Sequence, residues 1–129
     1  MLNHESIFTL IAKALLVDYS SIYYVDAVTN EYLWYSNDPD YHSLKLESSG
    51  KDFFKNIIRD AEQVVYKEDQ HIFTEDIQRD NLLSQMKKGT MQKIEYRLMI
   101  SGKPVYHALS LIRGMDGGED YFILGVKNI

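Results

Sequence analysis

Apolar residues enter the chain at helical spacing. In NHESIFTLIAKALLVDY, Ile7, Leu10, Ile11, Ala14 and Leu15 fall on one stripe, which predicts an amphipathic helix. Asn3 is placed to cap its first turn and Glu5 suits the positive end of its dipole. The period then changes. Ser21 to Val25 and Tyr32 to Tyr35 are rich in β-formers, and DAVTNE between them holds Asp, Thr and Asn, which favour turns. This predicts a hairpin. Next, SNDPDYHSLKLESSG has no clean period, and its Asn-Asp-Pro-Asp and Ser-Ser-Gly clusters read as a loop.

A second helix is expected from about Lys51 to Val65, opened by the capping pair Ser49 and Asp52, with Phe54, Ile57, Ile58, Ala61 and Val65 facing one way. YKEDQHIFTEDIQ and DNLLSQMKKG read as two further short helices, the second capped by Asp80 and stopped by Gly89. After them the period becomes two. Ile94, Tyr96, Leu98 and Ile100 alternate with Lys93, Glu95, Arg97 and Met99, the pattern of a half-buried strand. ISGKP turns the chain into a strand from Val105 to Arg113, and GMDGG turns it again. The nearly all-apolar run Tyr121 to Val126 suits a central strand. Two strands, small helices and three more strands imply an α+β fold, an antiparallel sheet with helices on one face.

Composition narrows the function. At 129 residues, 45% hydrophobic and 26% charged, the chain has the make-up of one folded domain rather than a disordered segment. It contains no cysteine, which excludes disulfides, thiolate catalysis and Cys-ligated zinc, and fits a reducing, cytoplasmic setting. The net charge of −5, with Lys87-Lys88 the lone adjacent basic pair, argues against nucleic acid as a partner. No apolar run reaches membrane-spanning length, and MLNHESIF lacks the basic start of a secretory signal.

The hairpin places Tyr23, Tyr24, Tyr32, Trp34 and Tyr35 close together, so a stacking platform for rings must be weighed against strand packing. The acidic balance and lack of interleaved basic residues favour packing. His4, His42, His71 and His107 show no metal-type spacing; a haem needs one axial imidazole, for which His71 and His107 are the candidates, and neither has a metal-type partner at fixed spacing. No metal and no cofactor are expected. Asp26 and Tyr24 form the pair to consider for proton transfer on an α+β cone, although Asp26 at a turn more simply bonds backbone amides.

Three stretches taken together resemble the PAS domain, a sensory and interaction module, in particular the subgroup found upstream of bacterial diguanylate cyclases and histidine kinases. DYSSIYYVDAVTNEYLWYS is similar to its first hairpin, with Asp26 at the end of the first strand. VVYKEDQHIF is similar to its H-P-E-D segment, with Tyr66-Lys67 in place of His-Pro and with Glu68, Asp69 and Phe73 kept. IEYRLMISGKPVYHALSLIRGMDGGEDYFILGVKNI is similar to its last three strands.

The resemblance spans Asp18 to Ile129 and implies a five-stranded antiparallel sheet in the order 2-1-5-4-3, preceded by a flanking helix over residues 1–17. It also implies a non-catalytic module that binds a small ligand or a partner PAS domain and passes a conformational signal to a C-terminal effector, a diguanylate cyclase or a histidine kinase. On this reading Tyr24, Phe54, Ile58, Ile94, Tyr96, Leu98 and Leu109 line a pocket or its side-chain plug. Asn128 and Ile129 stand where the family's Asp-Ile-Thr ties the last strand to its output, with Asn unable to form the family's salt bridge. The stripe Ile7, Leu10, Ile11, Ala14 and Leu15 either covers the sheet or pairs with its copy in a homodimer. The alternative function is a small free-standing enzyme using Asp26 and Tyr24.

Overall fold

The computed structural model describes residues 4–36, 46–114 and 119–129. The chain runs α1 (His4–Leu15), β1 (Ser21–Asp26), β2 (Tyr32–Ser36), β3 (Leu46–Gly50), α2 (Phe53–Val64), a 3₁₀ turn (Lys67–Asp69), a π turn (Ile72–Asp76), α3 (Arg79–Gln85), β4 (Met91–Ile100), β5 (Lys103–Arg113) and β6 (Tyr121–Asn128). The strands form one antiparallel sheet in the order β3-β2-β1-β6-β5-β4.

The expected five-stranded sheet in the order 2-1-5-4-3 is thereby corrected to six strands. The added strand lies in the stretch read as loop: Leu46–Gly50 pairs with β2 at the sheet's edge, through a register shift between Trp34 and Tyr35. Polar Glu-Ser-Ser-Gly has low β-propensity, and only an available neighbour's ladder makes it a strand. The preceding residues 37–45 and the turn residues 115–118 lie outside the described residues.

The β1–β2 turn is set by Asp26, whose Oδ1 accepts from the N–H of Val28 at 2.7 Å and of Thr29 at 3.0 Å. Asn30 follows at φ 67°, a conformation that Asn tolerates. Ser101 and Gly102, both at positive φ, form the tight turn between β4 and β5. Helix α2 starts one turn later than the Ser49 cap predicts: Asp52 is its cap, accepting from Lys55 N–H at 3.3 Å. Ser49 is instead held in β3. The N-cap position of α3 is Gln78 rather than Asp80, and its side chain makes no capping bond.

Side-chain alternation gives the sheet two different faces. Tyr23 and Val25 of β1, Leu109 and Leu111 of β5, and Phe122 and Leu124 of β6 meet Phe53, Phe54, Ala61, Ile77 and Leu82 from the helical layer in the main core. Ile22 and Tyr35 point the other way, to a small core under Ala12 of α1 and Leu16 just after it. The aromatic hairpin is therefore packing on both faces. Tyr23 stacks on Trp34 at 5.7 Å and meets Phe53 edge-on at 5.5 Å.

Helix α1 does not seat the expected stripe. Ile7, Leu10, Ile11, Ala14 and Leu15 are exposed, Leu10 by 64%, while Ala12 and Leu16, one turn apart, are buried. The small Ala12 lets the helix approach the sheet on a narrow seam, and the wider apolar set faces outward. On the central strand, Gly125 carries the ring of Tyr19, which a Cβ there would meet at 2.9 Å.

Candidate functional site

The candidate site lies where the helical layer meets the β1–β2 turn. Asn30 from the turn, Asp52, Phe54, Lys55 and Ile58 from the start of α2, and Gln78, Arg79 and Asp80 from the start of α3 line a cavity of about 310 Å³. The local structure that brings them together is specific. Phe53 donates its N–H to Asn30 C=O at 2.9 Å, locking the head of α2 to the turn. Gln78 Nε2 donates to Phe54 C=O at 3.1 Å and to Phe73 C=O at 2.7 Å, which ties α2 to the π turn. Arg79 reaches Val28 C=O and Asn30 Oδ1, each at 3.5 Å. The rim thus carries two cations, Lys55 and Arg79, beside two carboxylates, Asp52 and Asp80, over an apolar floor of Phe54 and Ile58.

That floor connects to the centre of the sheet. Phe54 is buried and meets Phe122 of β6 edge-on at 6.2 Å.

Of the pocket residues expected from the sequence, Phe54, Tyr96 and Leu109 are buried in the main core, Ile94 and Leu98 pack against it, and Ile58 is half-buried at the cavity. Tyr24 is a correction. It lies on the opposite face, near α1, stacked on Tyr121 at 5.2 Å. Strand alternation hands the main core to its neighbour Tyr23. Tyr96 sits between Phe73, at 4.9 Å, and His107, at 6.0 Å. Burial pushes its hydroxyl pKa well up, and among the described residues no protein group hydrogen-bonds to that hydroxyl. His107 is buried, with Nδ1 at 3.0 Å from Val105 C=O. His71 is exposed and faces Asp76 at 3.7 Å. His42 lies outside the described residues. Among the described residues no group of three His, Asp or Glu gathers as a metal site, and no helix is long and apolar enough to cross a membrane.

Asp26 spends its Oδ1 on the turn amides. Tyr24 stacks on Tyr121, the cross-strand partner of Asp26, and neither Tyr24 nor Asp26 lines the rim cavity. Asn128 ends β6 opposite His107, and Ile129 donates its N–H to Tyr106 C=O at 3.2 Å while its side chain is exposed.

Two ion pairs frame the helical layer, and sequence reasoning assigned neither. Asp69 accepts from Arg97 Nε at 2.7 Å and Nη2 at 2.8 Å, and from Arg97's own backbone N–H at 2.9 Å. These bonds hold the Asp69 carboxyl below the usual carboxylate range. Arg97 also lies over the ring of Tyr66, 4.2 Å from its centroid. At the other end Arg113 grips Asp120 through two bonds and donates to the C=O groups of Leu83 and Met86, the orphan carbonyls at the end of α3. Its Nη2 and Nε hold the Asp120 carboxyl down as well. A signal for Arg113 existed: it continues the inward positions His107, Leu109 and Leu111 of β5, and a cation on an apolar face requires a partner.

Fold and site together define a single-sheet α+β domain with its main helical layer on one face, α1 on the other and a cavity at the rim of the main layer. No protein-family model matches the chain, and no curated protein matches it. Among solved structures, the chain is similar to the crystal structure of a PAS domain of an HTR-like protein from Haloarcula marismortui. The likeness covers 97% of this chain and 99% of that one, at 14% identity and a TM-score of 0.43.

Proposed function

We propose that the chain is a PAS-type sensory module without catalytic activity. A small ligand, or a partner PAS domain, engages the rim cavity and biases an effector that follows Ile129, a diguanylate cyclase or a histidine kinase. The observation that carries this reading is the position of Phe54. It floors the cavity and touches Phe122 on the central strand, which ends at Asn128, next to Ile129. A ligand acts only through contacts that differ between two states, and Phe54 is the contact such a ligand would shift. The exposed α1 stripe supports a homodimer, since apolar surface of this kind marks interfaces.

The test has two arms. Native mass spectrometry of protein purified from its own host should show a bound small molecule, and Ile58→Trp, which fills the cavity, should remove it. In a parent gene that continues past Ile129 into an effector, Ile58→Trp and Asn128→Ala should each change output without unfolding the sensor. A bare mass together with unchanged output in both variants overturns the reading.

A further inference from the structure

β4 is an outer strand of the sheet, and the direction of its backbone groups follows from contacts at its two ends. Arg97 gives its N–H to Asp69 and receives the N–H of Tyr66 on its C=O, both away from the sheet. At the start of the strand, Thr90 C=O receives the N–H of Arg113 from β5. In an antiparallel ladder successive residues point their N–H and C=O to opposite sides. Odd-numbered positions of β4 therefore face outward. The segment Val65–Asp69 covers the edge at Arg97 and Leu98. Among the described residues nothing bonds to the outward groups of Met91, Lys93 and Glu95, and all three side chains are exposed.

We infer that this open edge pairs, antiparallel and centred on Ile94, with the same edge of a second copy of the chain. The order of charges along the edge fits a second copy. Centring on Ile94 sets Lys93 opposite Glu95 of the copy and Glu95 opposite Lys93 of the copy, and each pair exchanges both backbone bonds. Opposite charges directly across strands stabilise a pair and like charges destabilise it. Centring on residue 93 sets Lys93 against Lys93; centring on residue 95 sets Glu95 against Glu95 and Lys93 against Arg97. Of the registers centred on residues 93, 94 and 95, charge therefore selects the one on Ile94.

The opposite side of the ladder agrees. Ile94 is half-buried beside Leu82 at a second cavity, of about 360 Å³, and in this register it meets Ile94 of the copy and closes that cavity. The segment Val65–Asp69 ends the ladder at Arg97, so the paired stretch is short and the association weak and concentration-dependent. This surface is separate from the rim cavity and from α1.

The test is sedimentation velocity from micromolar to millimolar protein in a Leu10→Glu, Ile11→Glu background, which removes association through α1. The background protein should dimerise. Lys93→Glu and Glu95→Lys, each bringing like charges together, should raise the dimer Kd roughly tenfold or more. The double exchange Lys93→Glu with Glu95→Lys should restore it. Amide exchange at Lys93 and Glu95 should slow as concentration rises. A background protein that stays monomeric at every concentration overturns the inference and leaves the edge to some other extended segment. Single variants that dimerise like the background, or a double exchange that fails to rescue, overturn it as well.

Discussion

One sheet carries two cores of very different depth. On the helical face, side chains from α2, the π turn, α3 and four strands interlock around Phe122, and two Arg–Asp pairs clamp the ends. On the other face α1 rests on the sheet through Ala12 and Leu16 and leaves its broader apolar stripe in water. The contrast teaches that amphipathicity specifies that a face wants cover without specifying which cover it gets. Helix α2 buries its stripe within the fold. Helix α1 is bound by a minority of its apolar residues and offers the majority outward.

The largest expected effect comes from the deep side. Tyr96→Asp places an unpaired carboxylate between Phe73 and His107, at a cost of several kcal/mol, comparable to roughly 5–15 kcal/mol for a whole domain. The variant should be unfolded by circular dichroism at room temperature. Phe122→Ala, at a fully buried position, should lose about 3–5 kcal/mol in urea titration. A Tyr96→Asp protein that melts like the parent would mean that the helical face is not the deep core.

The clamps come next, and they carry a pH signature. Asp69 and Asp120 both have carboxyl pKa values lowered below the ordinary 3.8 by their arginines. A lowered native pKa means that the unfolded chain binds protons first as pH falls. The stabilisation is therefore complete above about 3.8 and lost as pH drops through the native values. Arg113→Gln should remove the share of Asp120 and also uncap α3, so it should be the more destabilising change. Arg97→Gln should remove only the side-chain share of Asp69, because the backbone N–H of residue 97 still donates to that carboxylate. In both variants the slope of stability against pH below about 4 should be shallower than in the parent. An unchanged slope would assign the acid sensitivity to other groups.

On the shallow side Leu16→Ala should cost about 2 kcal/mol, with a local readout. Amide exchange across α1 should accelerate while that of β5 and β6 stays near the global rate. If exchange rises uniformly, α1 is part of the cooperative unit and the two faces are not energetically separate. The smallest effect on stability belongs to Leu10→Glu with Ile11→Glu, within about 0.5 kcal/mol for exposed positions. Light scattering should then show loss of any dimer formed through α1.

Periodicity alone located most of the elements. The alternation through Ile94, Tyr96 and Leu98, the helical stripe through Phe54 and Ala61, and the apolar run at Tyr121 to Val126 are local patterns, and each element follows from its own residues. Asp26 as a turn-former was equally legible, because its partners Val28 and Thr29 are two and three residues away. Other features were decided only in three dimensions. Leu46–Gly50 is a strand because β2 offers it a ladder. Tyr23 rather than Tyr24 faces the main core because one residue of register reverses a strand's faces. The rim cavity joins Asn30, Phe54 and Gln78 from separate elements, and the Asp69–Arg97 pair spans 28 residues. Short-range preference is written in neighbouring side chains, whereas which surfaces meet depends on contacts between residues far apart in the chain, and these exist only once the sheet has formed.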